Sequence, residues 1–195
     1  DNLTSIGVFA SLTHGNFDAT VSTPNFMYNQ LVEKKNGTWQ YTPLKYWPNN
    51  DSDKISFFAY APHNATGVTP SNAIQKGYPS FTYTTPTAEA DQVDLLAATP
   101  IINQNGGSVD FKMQHALTKV VFNVKSNDDI TGKVITAFSI TGAKSGTLAF
   151  HVPANDDDKG FGWTYPSTVT AETFTATTKS LSVPDKSTPE EAMLC

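Results

Sequence analysis

Ile55-Ser56-Phe57-Phe58-Ala59-Tyr60-Ala61-Pro62 decides the fold class. The run is almost continuously apolar, is too short for a buried helix, and is closed by Ala61-Pro62. Such a run predicts a strand buried on both faces, in the middle of a sheet. On its N-terminal side the polar stretch Asn49-Asn50-Asp51-Ser52-Asp53 reads as a turn, preceded by Tyr46-Trp47-Pro48. Further back, Asn36-Gly37 separates a run ending in Leu31-Val32 from one beginning Thr38-Trp39-Gln40-Tyr41. Asn-Gly favours the positive φ angles of a tight turn, so a hairpin is expected there. The chain opens almost directly on a strand over residues 6–10, and an earlier segment is expected to precede it in the gene product.

On the C-terminal side a long Gly-, Pro- and Asn-containing connection leads to Phe81-Thr82-Tyr83-Thr84, and a short strand follows around residues 95–98. Gly106-Gly107 then turns the chain into Val109-Asp110-Phe111-Lys112-Met113, where apolar and polar residues alternate with period two. The alternation resumes in Val120, Phe122 and Val124, and both segments are predicted to be half-buried strands. Ser126-Asn127-Asp128-Asp129, followed by Gly132, is the best internal boundary, being polar and lying between strong strand signals. It divides the chain into a domain of residues 1–126 and a domain of residues 127–195. The second holds strands over residues 134–141, 147–152 and 174–183 and the loop Asp156-Asp157-Asp158-Lys159-Gly160. These are too few to close a sandwich, and Ala192-Met193-Leu194-Cys195 reads as the start of another strand, so the second domain is expected to be incomplete. The fold class is all-β.

Composition narrows the function. The 195-residue chain carries a net charge of −5 and contains no Arg. A nucleic-acid reader would use the planar guanidinium fork that suits phosphates and guanine edges, so nucleic acid is not an expected partner. No apolar run approaches the roughly 18 residues that span a bilayer, and the first residues lack a basic start and an apolar signal core. The single cysteine, Cys195, permits no intrachain disulfide and no cysteine metal cluster; at an exposed end it could link two molecules, and in a longer chain it is a small apolar strand residue. The Thr/Ser/Asn-rich, Lys-only, strand-dense character points to an exported protein.

No sequence motif for catalysis is complete. There is no HExxH, paired CxxC, phosphate-binding glycine loop or G-x-S-x-G elbow. Gly142-Ala143-Lys144-Ser145-Gly146 has its Ser one position late for an elbow, and Gly160-Phe161-Gly162 lacks the third glycine and the helix of a dinucleotide site. His14, His63, His115 and His151 are scattered; a lone His in a strand pattern, such as His115 between Met113 and Leu117, reads as a hydrogen-bonded packing residue. The acidic groups Asp51/Asp53 and Asp156-Asp157-Asp158 could offer oxygens to calcium, but lack the spaced pattern of a calcium loop and read as solvated turns. Trp39, Trp47 and Trp163 could form a sugar-stacking platform or fill a sandwich core, and core is the favoured reading. Asn2, Asn36 and Asn64 each begin an N-x-T sequon. No catalytic, cofactor-binding or metal-binding residue is assigned.

Five stretches in register resemble the fimbrillin family, the pilins and tip adhesins of type V pili, including the Mfa-like group. They are Ile6-Gly7-Val8-Phe9; Trp39 with Tyr46-Trp47-Pro48; the run from Ile55 to Pro62; Asp94-Leu95-Leu96-Ala97; and the run from Phe111 to Val120. Residues 131–195 resemble the first strands of the family's C-terminal domain. The resemblance implies transthyretin-like β-sandwich domains, a lipoprotein precursor, and maturation by removal of an N-terminal strand. It also implies assembly with other pilus subunits through strand exchange, on fimbriae or the outer-membrane surface of a Gram-negative bacterium, with host protein or glycan as candidate ligands. The expectation is a non-enzymatic structural or adhesive subunit; the alternatives are a carbohydrate-binding module of an exported glycan-capture system and a sandwich hydrolase with two close carboxylates.

Overall fold

The computed structural model describes residues 3–124, 134–182 and 190–194. The boundary expected at Ser126-Asn127-Asp128-Asp129, with Gly132, lies outside these residues, as do Asn2 and Cys195. The described chain is all-β apart from one 3-10 turn, Glu89–Asp91. In order the strands are β1 Ser5–His14, β2 Met27–Lys35, β3 Thr38–Gln40, β4 Asp53–Ala61, β5 Val68–Pro70, β6 Ser80–Thr84, β7 Leu96–Ala98 and β8 Ile101–Gln104. There follow β9 Met113–His115, β10 Val120–Val124, β11 Val134–Ala143, β12 Ser145–Phe150, β13 Phe161–Thr164, β14 Ala171–Ser182 and β15 Glu190–Leu194.

A seven-stranded antiparallel sheet runs β3-β2-β1-β4-β7-β9, with β8 also paired to β4. As its composition predicts, β4 is interior, with β1 on one side and β7 and β8 on the other. Residues 55–61 are buried throughout, and the pleat divides them: Ile55, Phe57, Ala59 and Ala61 face one way, Phe58 and Tyr60 the other. The expected hairpin forms between β2 and β3, with Asn36 at φ 52° and Gly37 at φ 81° in the turn.

A second sheet, β13-β12-β6-β5, packs on the Phe58/Tyr60 face. Phe9, Phe58, Tyr60, Leu95 and Ala97 from the larger sheet meet Phe81, Tyr83, Leu148, Phe150 and Phe161 from the smaller one, forming a β-sandwich core. Residues 145–164 differ here from the sequence reading, which assigned them to a separate second domain. β12 pairs with β6 from Ser145↔Thr84 to Ala149↔Ser80, and so completes the first sandwich. The cause is burial: Leu148 and Phe150 alternate with Thr147 and Ala149, and their inward faces pack beside Phe81 and Tyr83. Two further ladders, β10-β15 and β11-β14, lie beyond that core, and Phe122 stacks on Phe138 at 4.8 Å between ring centroids.

The segment Val109-Met113 also departs from expectation. Only Met113–His115 enters the ladder, as β9. Burial still alternates over residues 109–113, inward at Val109, Phe111 and Met113 and outward at Asp110 and Lys112. Residues 108–112 nevertheless have a single main-chain hydrogen bond among the described residues, from Thr99 N–H to the Lys112 carbonyl at 3.4 Å. The strand pattern is present, and among the described residues no strand pairs with residues 108–112.

Candidate functional site

The face of the larger sheet opposite the sandwich core is also apolar. Ile6, Val8 and Ala10 of β1 and Ile55, Phe57 and Ala59 of β4 form its floor. Among the described residues, irregular chain covers it, residues 41–48 from one side and 107–112 from the other, the latter running into β9 at Met113. Between these covers lies a groove of about 500 Å³. One wall carries Phe26, Tyr41 and Trp47, and the other Val109, Phe111 and Met113. Trp47 stands edge-on to Phe57, 5.8 Å between centroids, which fixes it against the floor. Residues 41–48 are held from below by the Gln30 amide, which donates to the Thr42 carbonyl at 3.1 Å.

Electrostatically the groove is nearly neutral. Among the described residues, Lys45 and Asp110 are the only charged ones lining it. The Lys45 ammonium lies 5.6 Å from the centre of the Phe26 ring, a cation–π contact, and the Asp110 carboxylate accepts from the Ser108 hydroxyl at 2.8 Å. Side chains entering this groove would meet aliphatic and aromatic surface, beside the main chain of residues 108–112, whose one main-chain bond among the described residues is at the Lys112 carbonyl.

The three tryptophans share no platform. Trp39 and Trp47 line the groove, whereas Trp163 belongs to the sandwich core on the opposite face of the larger sheet. Its indole N–H donates to the Ala116 carbonyl at 2.7 Å. Trp163 and Trp47 pack, as the core reading expects, and Trp39 stays 41% exposed at the groove mouth.

The histidines are not brought together. His14 bonds Asp53 at 2.9 Å, His115 bonds Asp94 at 2.8 Å and His151 bonds Asp158 at 2.8 Å. His63 Nε2 lies 3.1 Å from the Asn29 carbonyl. Asp158 closes its own loop, accepting from the N–H groups of Ala154 and Gly160 at 2.9 Å each. Those two donors, with His151 after them, lower its carboxyl pKa from 3.8 to about 2. Asp53 is occupied by His14, and no group of three or more potential metal ligands occurs among the described residues. Of the near-motifs, Lys144 is paired with Glu172 at 2.7 Å and Ser145 begins β12, while Phe161-Gly162 begins β13. Asn36 is a turn residue, and Asn64 accepts from the Asn29 amide at 2.8 Å.

Sequence reasoning missed Phe26, Tyr41 and the pairing state of residues 108–112. The available signal was the aromatic density of residues 39–47 in a stretch with little strand pattern of its own.

Comparison with known proteins gives a consistent result. The family model described as fimbrillin-like matches residues 1–194. The chain is 35% identical over 156 residues to the fimbrium subunit Fim1C of Phocaeicola vulgatus strain ATCC 8482, covering 71% of this chain and 41% of that protein. It thus spans less than half the length of that relative. A crystal structure of a fimbrial protein from Bacteroides vulgatus ATCC 8482 superposes with a TM-score of 0.76, at 24% identity, over 97% of this chain and 69% of the other, which supports the fold.

Proposed function

Because the chain belongs to the fimbrillin-like family, we propose that it is a structural or adhesive subunit of cell-surface fimbriae that assembles by β-strand complementation. The observation that carries this reading is the main chain of residues 108–112, free of main-chain bonds among the described residues except at the Lys112 carbonyl, alongside the apolar groove. A strand laid there would pair with exposed amides and carbonyls while its inward side chains entered the groove. Three inward apolar residues, at about 1.5–3 kcal/mol each, contribute about 5–9 kcal/mol. That is comparable with the typical stability of about 5–15 kcal/mol of a whole domain, so an incoming strand alone could decide assembly.

On this reading the partners are other pilus subunits, and the site is a binding groove with no catalytic role. The protein is exported as a lipoprotein precursor to the outer surface of a Gram-negative bacterium. The sandwich is of the transthyretin-like kind, and β10, β11, β14 and β15 belong to the start of a second domain. Host protein or glycan is the expected adhesive ligand. A glycan module in this groove is less well supported, because the lining is dominated by apolar side chains with only Lys45 and Asp110 charged. A polyhydroxylated ligand would leave hydroxyls unpaired there. Immunogold electron microscopy with an antibody against residues 3–124 tests the assignment. Gold along filaments or at their ends supports it, and absence of surface gold from cells that express the protein contradicts it.

A further inference from the structure

A second cleft, of about 160 Å³, opens on the other side of the molecule, where β6, β12 and β13 approach residues 116–118. We infer that it binds one neutral sugar ring, the terminal residue of a glycan, against Trp163 and Tyr165.

Size sets the first limit. An engineered cavity of ~150 Å³ accommodates one benzene ring, so this cleft takes one ring and not an oligosaccharide. Chemistry sets the second. The walls carry three aromatic rings, those of Tyr83, Trp163 and Tyr165, and five hydroxyls, those of Tyr83, Tyr165, Thr85, Thr118 and Ser145, with no charged residue among the described ones. None of these hydroxyls has a hydrogen-bond partner among the described residues, and for Tyr83 this is costly because the residue is only 2% exposed. A ligand with one C–H face and a rim of hydroxyls matches such a lining, and an anionic sugar or phosphate does not.

Two features show the cleft to be built. The Trp163 indole is locked by its bond to the Ala116 carbonyl, so the ring is oriented before any ligand arrives. Gly146 is interior to β12 without a positive φ, and its lack of a side chain lets both rings lie close on the strand; a Cβ there would lie 3.0 Å from the Tyr165 ring and 3.1 Å from the Trp163 ring. The cleft is on the face of the larger sheet away from the groove, so the inference stands independently of strand exchange.

Saturation-transfer NMR on the full chain with the methyl glycosides of glucose, galactose and mannose tests it. At least one glycoside should show transfer, and binding should weaken by roughly fivefold in Tyr83→Phe or Thr118→Val. Tyr83→Phe should keep or raise the melting temperature, which separates loss of a ligand contact from loss of fold. No transfer from any of the three, or transfer left unchanged by both substitutions, overturns the inference.

Discussion

Gly7 of β1 is paired directly with Tyr60 of β4, and the Tyr60 ring occupies the space that a side chain at Gly7 would need. A Cβ there would stand 2.7 Å from the Tyr60 Cζ and 2.9 Å from the Asn29 side-chain oxygen. The arrangement lets the Tyr60 hydroxyl donate to Asn29 at 2.8 Å while its ring packs on Phe81, 4.9 Å between centroids. Gly7→Ala is therefore expected to destabilise the protein by about 1–3 kcal/mol through overpacking. Urea denaturation measures this, and adding Tyr60→Phe should give no rescue, since the ring makes the clash.

Phe150 links the sheets, lying 5.6 Å from Phe58 and 6.5 Å from Phe81 between ring centroids. Phe150→Ala should cost about 3–5 kcal/mol. A fragment ending at residue 126 loses two of the four strands of the smaller sheet and should not give dispersed NMR amide signals. The same signals should appear in a fragment ending at residue 166, which retains β12 and β13.

The parts of this fold that were legible in the sequence are those with local causes. Asn36-Gly37 specifies its hairpin because φ is set at the turn, and the run Ile55 to Tyr60 declares its double burial by composition. Pairing between distant strands has no local signature. Nothing in Ser145 to Phe150 says that it joins Thr84 to Ser80, because alternation fixes which side is inward and leaves the partner open. Likewise Val109 to Met113 reads as a strand, and its vacant edge emerges only once the neighbours are known. The groove was half visible, in Trp39 and Trp47; the cleft at Trp163 depends on Gly146, whose role no pattern reveals.

Acid response should report Asp158. Its carboxyl pKa lies at about 2, below the ordinary 3.8, so its contribution to stability is intact above the ordinary value and is lost as pH falls through about 2. Asp158→Asn should flatten the decline in stability over that acid range and leave the rest of the profile unchanged. A carboxyl titration by NMR should place the Asp158 midpoint near 2 in the parent chain.

The groove should accept a strand supplied in trans. A synthetic peptide of alternating Val/Ile and Thr/Ser residues should raise the melting temperature, with about 2.7 kcal/mol of stabilisation at one hundred times its dissociation constant. Val109→Asp, which adds a charge to the groove wall, should abolish the shift, whereas Thr147→Ser on the opposite sheet should not affect it.

Hydrogen exchange of the amides of residues 108–112, compared between the isolated chain and filaments from the source cells, tests strand complementation most directly. Fast exchange in the isolated chain and strong protection in the filament is the predicted result. Equally fast exchange in both would show that no strand pairs with this edge on assembly and would contradict the account.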